Sequence, residues 1–198
     1  MREYWRKINN ANAHQLWSKK TEELFGAIEF CLKSNFWEPA LILIYAGIDS
    51  MAWLNLPEGK HDVTATEFIQ WCNRYLLLPE DAELRAEDLY AARCGLLHSY
   101  TAESRRYREK KVTKLFYSRE TTAGEINLDQ LGGEEHTWPL WTDVDILFGR
   151  LRSAVHRFQE DIATDSNRAN SVYARIRRSY LVEVKVKDLS SSEHDQGE

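Results

Sequence analysis

Cysteine is scarce in this chain. Cys31, Cys72 and Cys94 lie far apart, odd in number and inside helical patterns, and no CxxC spacing occurs. Neither a disulfide framework nor a zinc site is suggested. Long hydrophobic runs are missing too. The longest, 39-PALILIYAGI-48, stops at Asp49, well short of the ~20 residues a bilayer span requires, so no membrane association is expected. Positive charge is not in excess: the net charge of −5 argues against a wholly basic nucleic-acid binder but leaves local patches open. The phosphate-loop pattern GxxxxGK[ST], the dinucleotide pattern GxGxxG and the zinc-protease pattern HExxH are all absent. His61, His136 and His156 are scattered and read as surface residues, so neither a metal nor a cofactor is expected. The start, MREYWRKINNANAHQLW, has no apolar core and does not read as a secretory signal. The expected compartment is a reducing cytoplasm.

What remains is an ordinary globular composition, 43% hydrophobic and 29% charged, in one domain over residues 1–188 with a disordered tail at 189–198. Residues 11–34 read as a first helix. The segment 37-WEPALILIYAGIDSMAWLN-55 reads as a buried central one, with Asn35 as its cap and Leu41, Ile44, Tyr45, Ile48, Met51 and Ala52 as its stripe. A third helix covers 64–78, capped by Thr64 or Thr66 and ended by Pro79. A fourth runs from the acidic stretch 79–90 through 88-DLYAARCGLLHSYTAES-104. Short strands are expected around 112–118 and 125–129, with Gly132-Gly133 as a break between elements. A helix follows at 142–163, with Asp143 and Asp145 near its start. A basic helix is expected at 166–178, and 180-YLVEVKVK-187 alternates as a strand should. The expected fold is mainly α: a helical bundle with a small antiparallel β element in the C-terminal half. The seven tryptophans read as core and interface mass.

The fourth helix raises a question, because it carries Arg93 and His98 among small and apolar residues. Residues five apart are rotated by roughly 140° on an ideal helix, so the two do not share a face. Arg93 lies in line with Leu89 and Leu97. His98 lies with Ala91, Cys94, Gly95 and Ala102, a face another helix can approach closely, either within the bundle or between subunits. Taken alone, these residues fit plain packing, with Gly95 at a close contact, His98 a satisfied core histidine and Arg93 snorkelling or paired. Asp49 adds a second clue. It interrupts the most apolar helix of the chain, where a carboxylate needs a partner, and Arg93 is the obvious candidate.

An R-x4-H motif near the C-terminal end of a helix, here Arg93-Cys94-Gly95-Leu96-Leu97-His98, together with an upstream apolar helix bearing an acid, resembles the HEPN superfamily. The resemblance covers roughly residues 10–165 as a pattern of helices. It implies a HEPN-like helical domain and a homodimer whose two motifs share one groove. It also implies a metal-independent endoribonuclease of the toxin or antiviral-defence kind, with Arg93 and His98 catalytic and Asp49 and Cys94 in support. Histidine can accept or give a proton near neutral pH, and arginine can hold the scissile phosphate. Products would carry 2′,3′-cyclic phosphate and 5′-hydroxyl ends. An antitoxin or other regulatory partner is the companion expected of such an enzyme. One departure stands out: Cys94 occupies a position that is commonly polar in active members. It points to the alternative, a catalytically silent module for dimerisation and for binding RNA, a nucleotide or a partner protein.

The flanks fit an RNA partner. Ser99, Tyr100 and Thr101 can donate hydrogen bonds to phosphate, or simply end the helix. The segment 105-RRYREKKVTKLFYSR-119 holds Arg105, Arg106, Arg108, Lys110, Lys111 and Lys114 with aromatics interleaved, a composition that suits a single-stranded RNA track or a solvated strand face. The arginines at 168, 175, 177 and 178 form a weaker candidate patch.

Overall fold

The structure, a computed structural model, describes residues 10–78, 84–99, 112, 114–119 and 140–179. Within them the chain is mainly helical with one small sheet. The order is α1 (Asn10–Lys33), α2 (Trp37–Leu54), α3 (Ala65–Trp71), a π-helical turn (Cys72–Leu76), α4 (Ala86–Ser99), β1 (Leu115–Ser118), β2 (Leu140–Asp143), α5 (Val144–Ala163) and α6 (Ser166–Ser179). No helix among the described residues is long and apolar enough to cross a membrane.

α2 is the hub. Its apolar residues Leu41, Ile44, Tyr45, Ile48, Met51 and Ala52 are all buried, and it packs against α1, α3, α4, α5 and α6. Gly47 lets this happen at close range. A Cβ there would lie 3.0 Å from the Leu151 side chain of α5 and 3.1 Å from that of Leu24 on α1. The α1–α2 turn is built on Asn35, which is not the cap of α2 as expected. It sits at φ 62°, with Phe36 N–H donating to Cys31 O and Asn35 N–H to Leu32 O. That is a Schellman ending for α1, and asparagine tolerates the left-handed backbone it needs. The cap position of α2 falls to Phe36, with no side-chain hydrogen bond.

The third helix is shorter than the expected 64–78. Thr64 caps it, and its N–H and Oγ1 both donate to Glu67 Oε2, with Lys60 a further donor to the same carboxylate. At Cys72 the helix widens into the π turn and ends at Leu77 with φ 47°. Arginines of α5 receive this end. Arg157 donates twice to Tyr75 O, at 2.6 and 2.9 Å, and Arg150 donates to Leu77 O at 2.7 Å. Cations at helix C-termini satisfy otherwise orphaned carbonyls.

α6 corrects one sequence expectation. Arg175 is buried, and its guanidinium donates to the carbonyls of Trp53 at the end of α2 and of Leu56, Pro57 and Lys60 in the segment after it. Arg168 bonds Asp161, Asn55 and the Tyr75 hydroxyl. These two hold the bundle together, and the burial of Arg175 takes it out of any surface patch.

The sheet departs from the expectation of an antiparallel element. β1 and β2 are parallel, in the register Leu115↔Leu140 to Ser118↔Asp143. Residues 119–139 separate the strands, long enough for the chain to return to the same end before pairing, as parallel strands require. Leu115 and Leu140 face the core together, and Phe116 and Trp141 stack with ring centroids 5.2 Å apart. The residues at 140–143 thus form a strand before the helix begins. Asp143 then caps α5 by accepting from Ile146 N–H at 2.9 Å. Tyr117 ties β1 to α2, its hydroxyl 2.5 Å from that of Tyr45. The expected strands at 125–129 and 180–187, the Gly132-Gly133 break and the tail at 189–198 lie outside the described residues.

Candidate active site

Arg93 and Asp49 come together from helices α4 and α2. Arg93 Nε lies 2.7 Å and Nη2 2.6 Å from Asp49 Oδ2. The pair is mostly buried, with 22% of the Arg93 side chain and 19% of the Asp49 side chain exposed. Burial works to lower the Arg93 pKa, but the hydrogen bond and charge of Asp49 more than offset it and hold the guanidinium firmly cationic. Cys94 sits beside the same guanidinium, with a long contact of 3.9 Å from Nη1 to Sγ. Cys72, at the first residue of the π turn, is a protonated thiol. Burial pushes its pKa up, and the nearby charges of Asp49 and Glu87 push it further.

α4 is positioned for this contact by its own N-terminus. The fully buried Asp88 accepts from Arg85 N–H at 3.0 Å and from Arg85 Nε at 3.2 Å, closing the first turn. Leu89 and Ala92 then pack into the core. That orientation turns Arg93 and Leu97, one turn apart, toward an open groove of about 800 Å³. Its floor is the least covered face of α2, Ala46, Asp49, Ser50 and Trp53, at helical spacing. Thr21 and Leu24 of α1 form the opposite wall, and Asp62 and Val63 form the rim. Trp53 is held rigidly: its Nε1 donates to His61 O at 3.1 Å, and Arg175 lies 5.4 Å over its ring.

His98 occupies the last turn of α4, roughly 7.5 Å along the axis from Arg93 and roughly 140° around it. Within one chain the two motif positions therefore lie on different faces of the helix. The face that His98 shares by spacing contains Ala91 and Gly95, and both are buried within the monomer. At those two positions the small-residue seam is internal to the bundle, so it leaves no surface there for a second subunit. The side chains of His98 and Ser99 lie outside the described residues, as do Tyr100, Thr101, Arg105, Arg106, Arg108, Lys110 and Lys111. Lys114 is described: half-buried, with its ammonium 5.4 Å over the Phe116 ring.

Sequence reasoning thus anticipated the Arg93–Asp49 pair and missed the groove. The signal for the groove was present but ambiguous. Ala46, Asp49, Ser50 and Trp53 recur at helical spacing on the least apolar side of α2, a pattern that neighbouring helices could equally have covered. No protein-family model, curated protein or solved structure matches the chain.

Proposed function

We propose that this protein is a HEPN-type, metal-independent endoribonuclease that acts as a toxin or antiviral-defence effector under the control of an antitoxin or regulatory partner. The observation that carries the reading is the Arg93–Asp49 pair: an arginine fixed by a helix-borne carboxylate at the wall of an open groove, with a histidine five residues on. Asp49 takes Nε and one hydrogen of Nη2, which leaves donor capacity on Nη1 and Nη2 for a phosphate. Arg93 binds the scissile phosphate and stabilises the charge that builds on it. The RNA 2′-oxygen attacks phosphorus while its proton passes to one histidine. The P–O5′ bond breaks, and a second histidine protonates the departing oxygen. One His98 does not fill both roles in one step, and within a chain its helix position lies off the Arg93 face. The reaction is therefore assigned to a homodimer in which the partner subunit supplies the second histidine. The products are 2′,3′-cyclic phosphate and 5′-hydroxyl ends.

One observation favours the second reading, a silent HEPN-like module that binds RNA, a nucleotide or a partner protein. Three nitrogens of Arg93 already have partners within the chain, with Cys94 one of them. The two readings separate in one experiment: incubate the purified protein with RNA in EDTA beside its Arg93→Ala and His98→Ala variants, and analyse the new ends. The nuclease reading expects cleavage by the native protein alone, with cyclic phosphate ends. Cleavage that persists undiminished in both folded variants removes these residues from the chemistry. Binding without cleavage by a folded dimer selects the silent module.

A further inference from the structure

The groove beside Arg93 has a composition that the phosphate chemistry does not explain. Its cations are already paired. Arg93 is held by Asp49, and Lys20, on the α1 side, lies 2.8 Å from Glu23. Asp62 on the rim is exposed, and among the described residues its carboxylate has no hydrogen-bond or ion-pair partner. A groove whose one unpaired charge is negative does not suit a second phosphate. Its lining is largely apolar, from Leu24, Ala46, Val63 and Leu97, with the rigidly held indole of Trp53 among them. Its volume of about 800 Å³ falls in the range usual for small-ligand sites, about 300–1,000 Å³. An uncharged, planar, partly apolar group attached to the phosphate at Arg93 matches all of this, and in RNA that group is a nucleobase.

We infer that the groove is the base pocket of the RNA site, that it takes one unstacked base bearing an exocyclic amino group, and that Asp62 is the residue that selects it. The inference rests on Arg93 holding the neighbouring phosphate, as proposed above. A carboxylate can only accept hydrogen bonds. Adenine, cytosine and guanine each offer an exocyclic amino donor, and uracil offers only its ring N3–H between two carbonyls that face a carboxylate unfavourably. Asp49 lies in a mostly buried pair with Arg93, whereas Asp62 stands exposed at the rim. Ser50, on the floor, can turn its hydroxyl to either partner.

Binding of uncleavable oligomers tests this separately from catalysis. Fluorescence anisotropy would be measured with labelled 2′-O-methyl oligo-A, oligo-C and oligo-U, on the wild type, Asp62→Asn and Ala46→Phe. Both substitutions lie at exposed positions, and thermal melts check that the fold is kept. The wild type should bind oligo-A or oligo-C about tenfold tighter than oligo-U, the discrimination that one good base contact supplies. Asp62→Asn should shrink that ratio to about twofold, because an amide can also donate to the uracil carbonyls that a carboxylate repels. A purely electrostatic role for Asp62 would shift all three oligomers equally and leave the ratio alone, which overturns the assignment. Ala46→Phe fills the groove floor and should weaken every oligomer about tenfold. Unchanged binding in that variant, beside wild-type RNA cleavage at unchanged sites, sinks the base pocket and leaves the nuclease standing. Failure of the wild type both to bind any oligomer and to cleave RNA sinks the two together.

Discussion

Arg93 and Asp49 are the residues on which the proposed function and stability meet. Their pair is mostly buried, so removing one partner strands a charge in a site that water reaches poorly. Each of Asp49→Asn and Arg93→Gln should lower the unfolding free energy by about 1–3 kcal/mol, below the full buried-pair figure because about a fifth of each side chain remains exposed. The double variant should lose less than the sum, with a coupling of about 1–2 kcal/mol by urea denaturation. Strict additivity would mean that the contact contributes nothing as a pair. Sequence alone pointed to this pair because a carboxylate in the most apolar helix needs a partner. It did not point to the partners of Arg168 and Arg175. Their acceptors are Asp161, Asn55, a tyrosine hydroxyl and backbone carbonyls, and a carbonyl leaves no trace in the sequence.

At the scale of elements, the helix boundaries follow local chemistry where a cap is present. Thr64 and Glu67 close α3, and Asp143 closes α5. The hydrogen bond from Lys60, with those from Thr64, holds the Glu67 carboxyl down to about 2. A carboxylate whose folded pKa lies below its unfolded value, about 4.3, contributes stability that is full above pH about 4.3. That stability is lost as pH falls toward 2. Urea midpoints should therefore drop more steeply for the wild type than for Glu67→Gln across that acid window. Parallel slopes would remove Glu67 from the acid response. The π turn and the early end of α3 were not legible. Nothing in 64-TATEFIQWCNRYLLL-78 interrupts the helical pattern before Pro79, and the arginines that receive the widened turn come from α5, far along the chain. The strand at 140–143 was missed for a related reason: four residues pairing in parallel with a distant partner carry no periodicity long enough to detect.

For the whole molecule, the proposed nuclease requires two motifs to meet. Ala91 and Gly95 are buried within one chain, so Gly95→Leu overpacks the monomer. Stability should fall by about 1–3 kcal/mol, by the same amount at every protein concentration. A loss that grows on dilution, with light scattering showing a dimer dissociating, would place Gly95 at a subunit contact instead. With Gly95 inside the monomer, the dimer proposed above forms through another surface, one that brings the C-terminal turns of two α4 helices together.

The mainly helical class, the hub role of α2, the reach of α6 and the Arg93–Asp49 pairing were all determined by the sequence itself. Each rests on short-range periodicity or on the rule that a carboxylate in an apolar helix must be matched. The parallel direction of the sheet, the π turn, the internal seam on α4 and the groove over α2 were decided only by tertiary structure. Each depends on which of several compatible faces a distant element covers, and that choice is made by packing all the helices at once around α2.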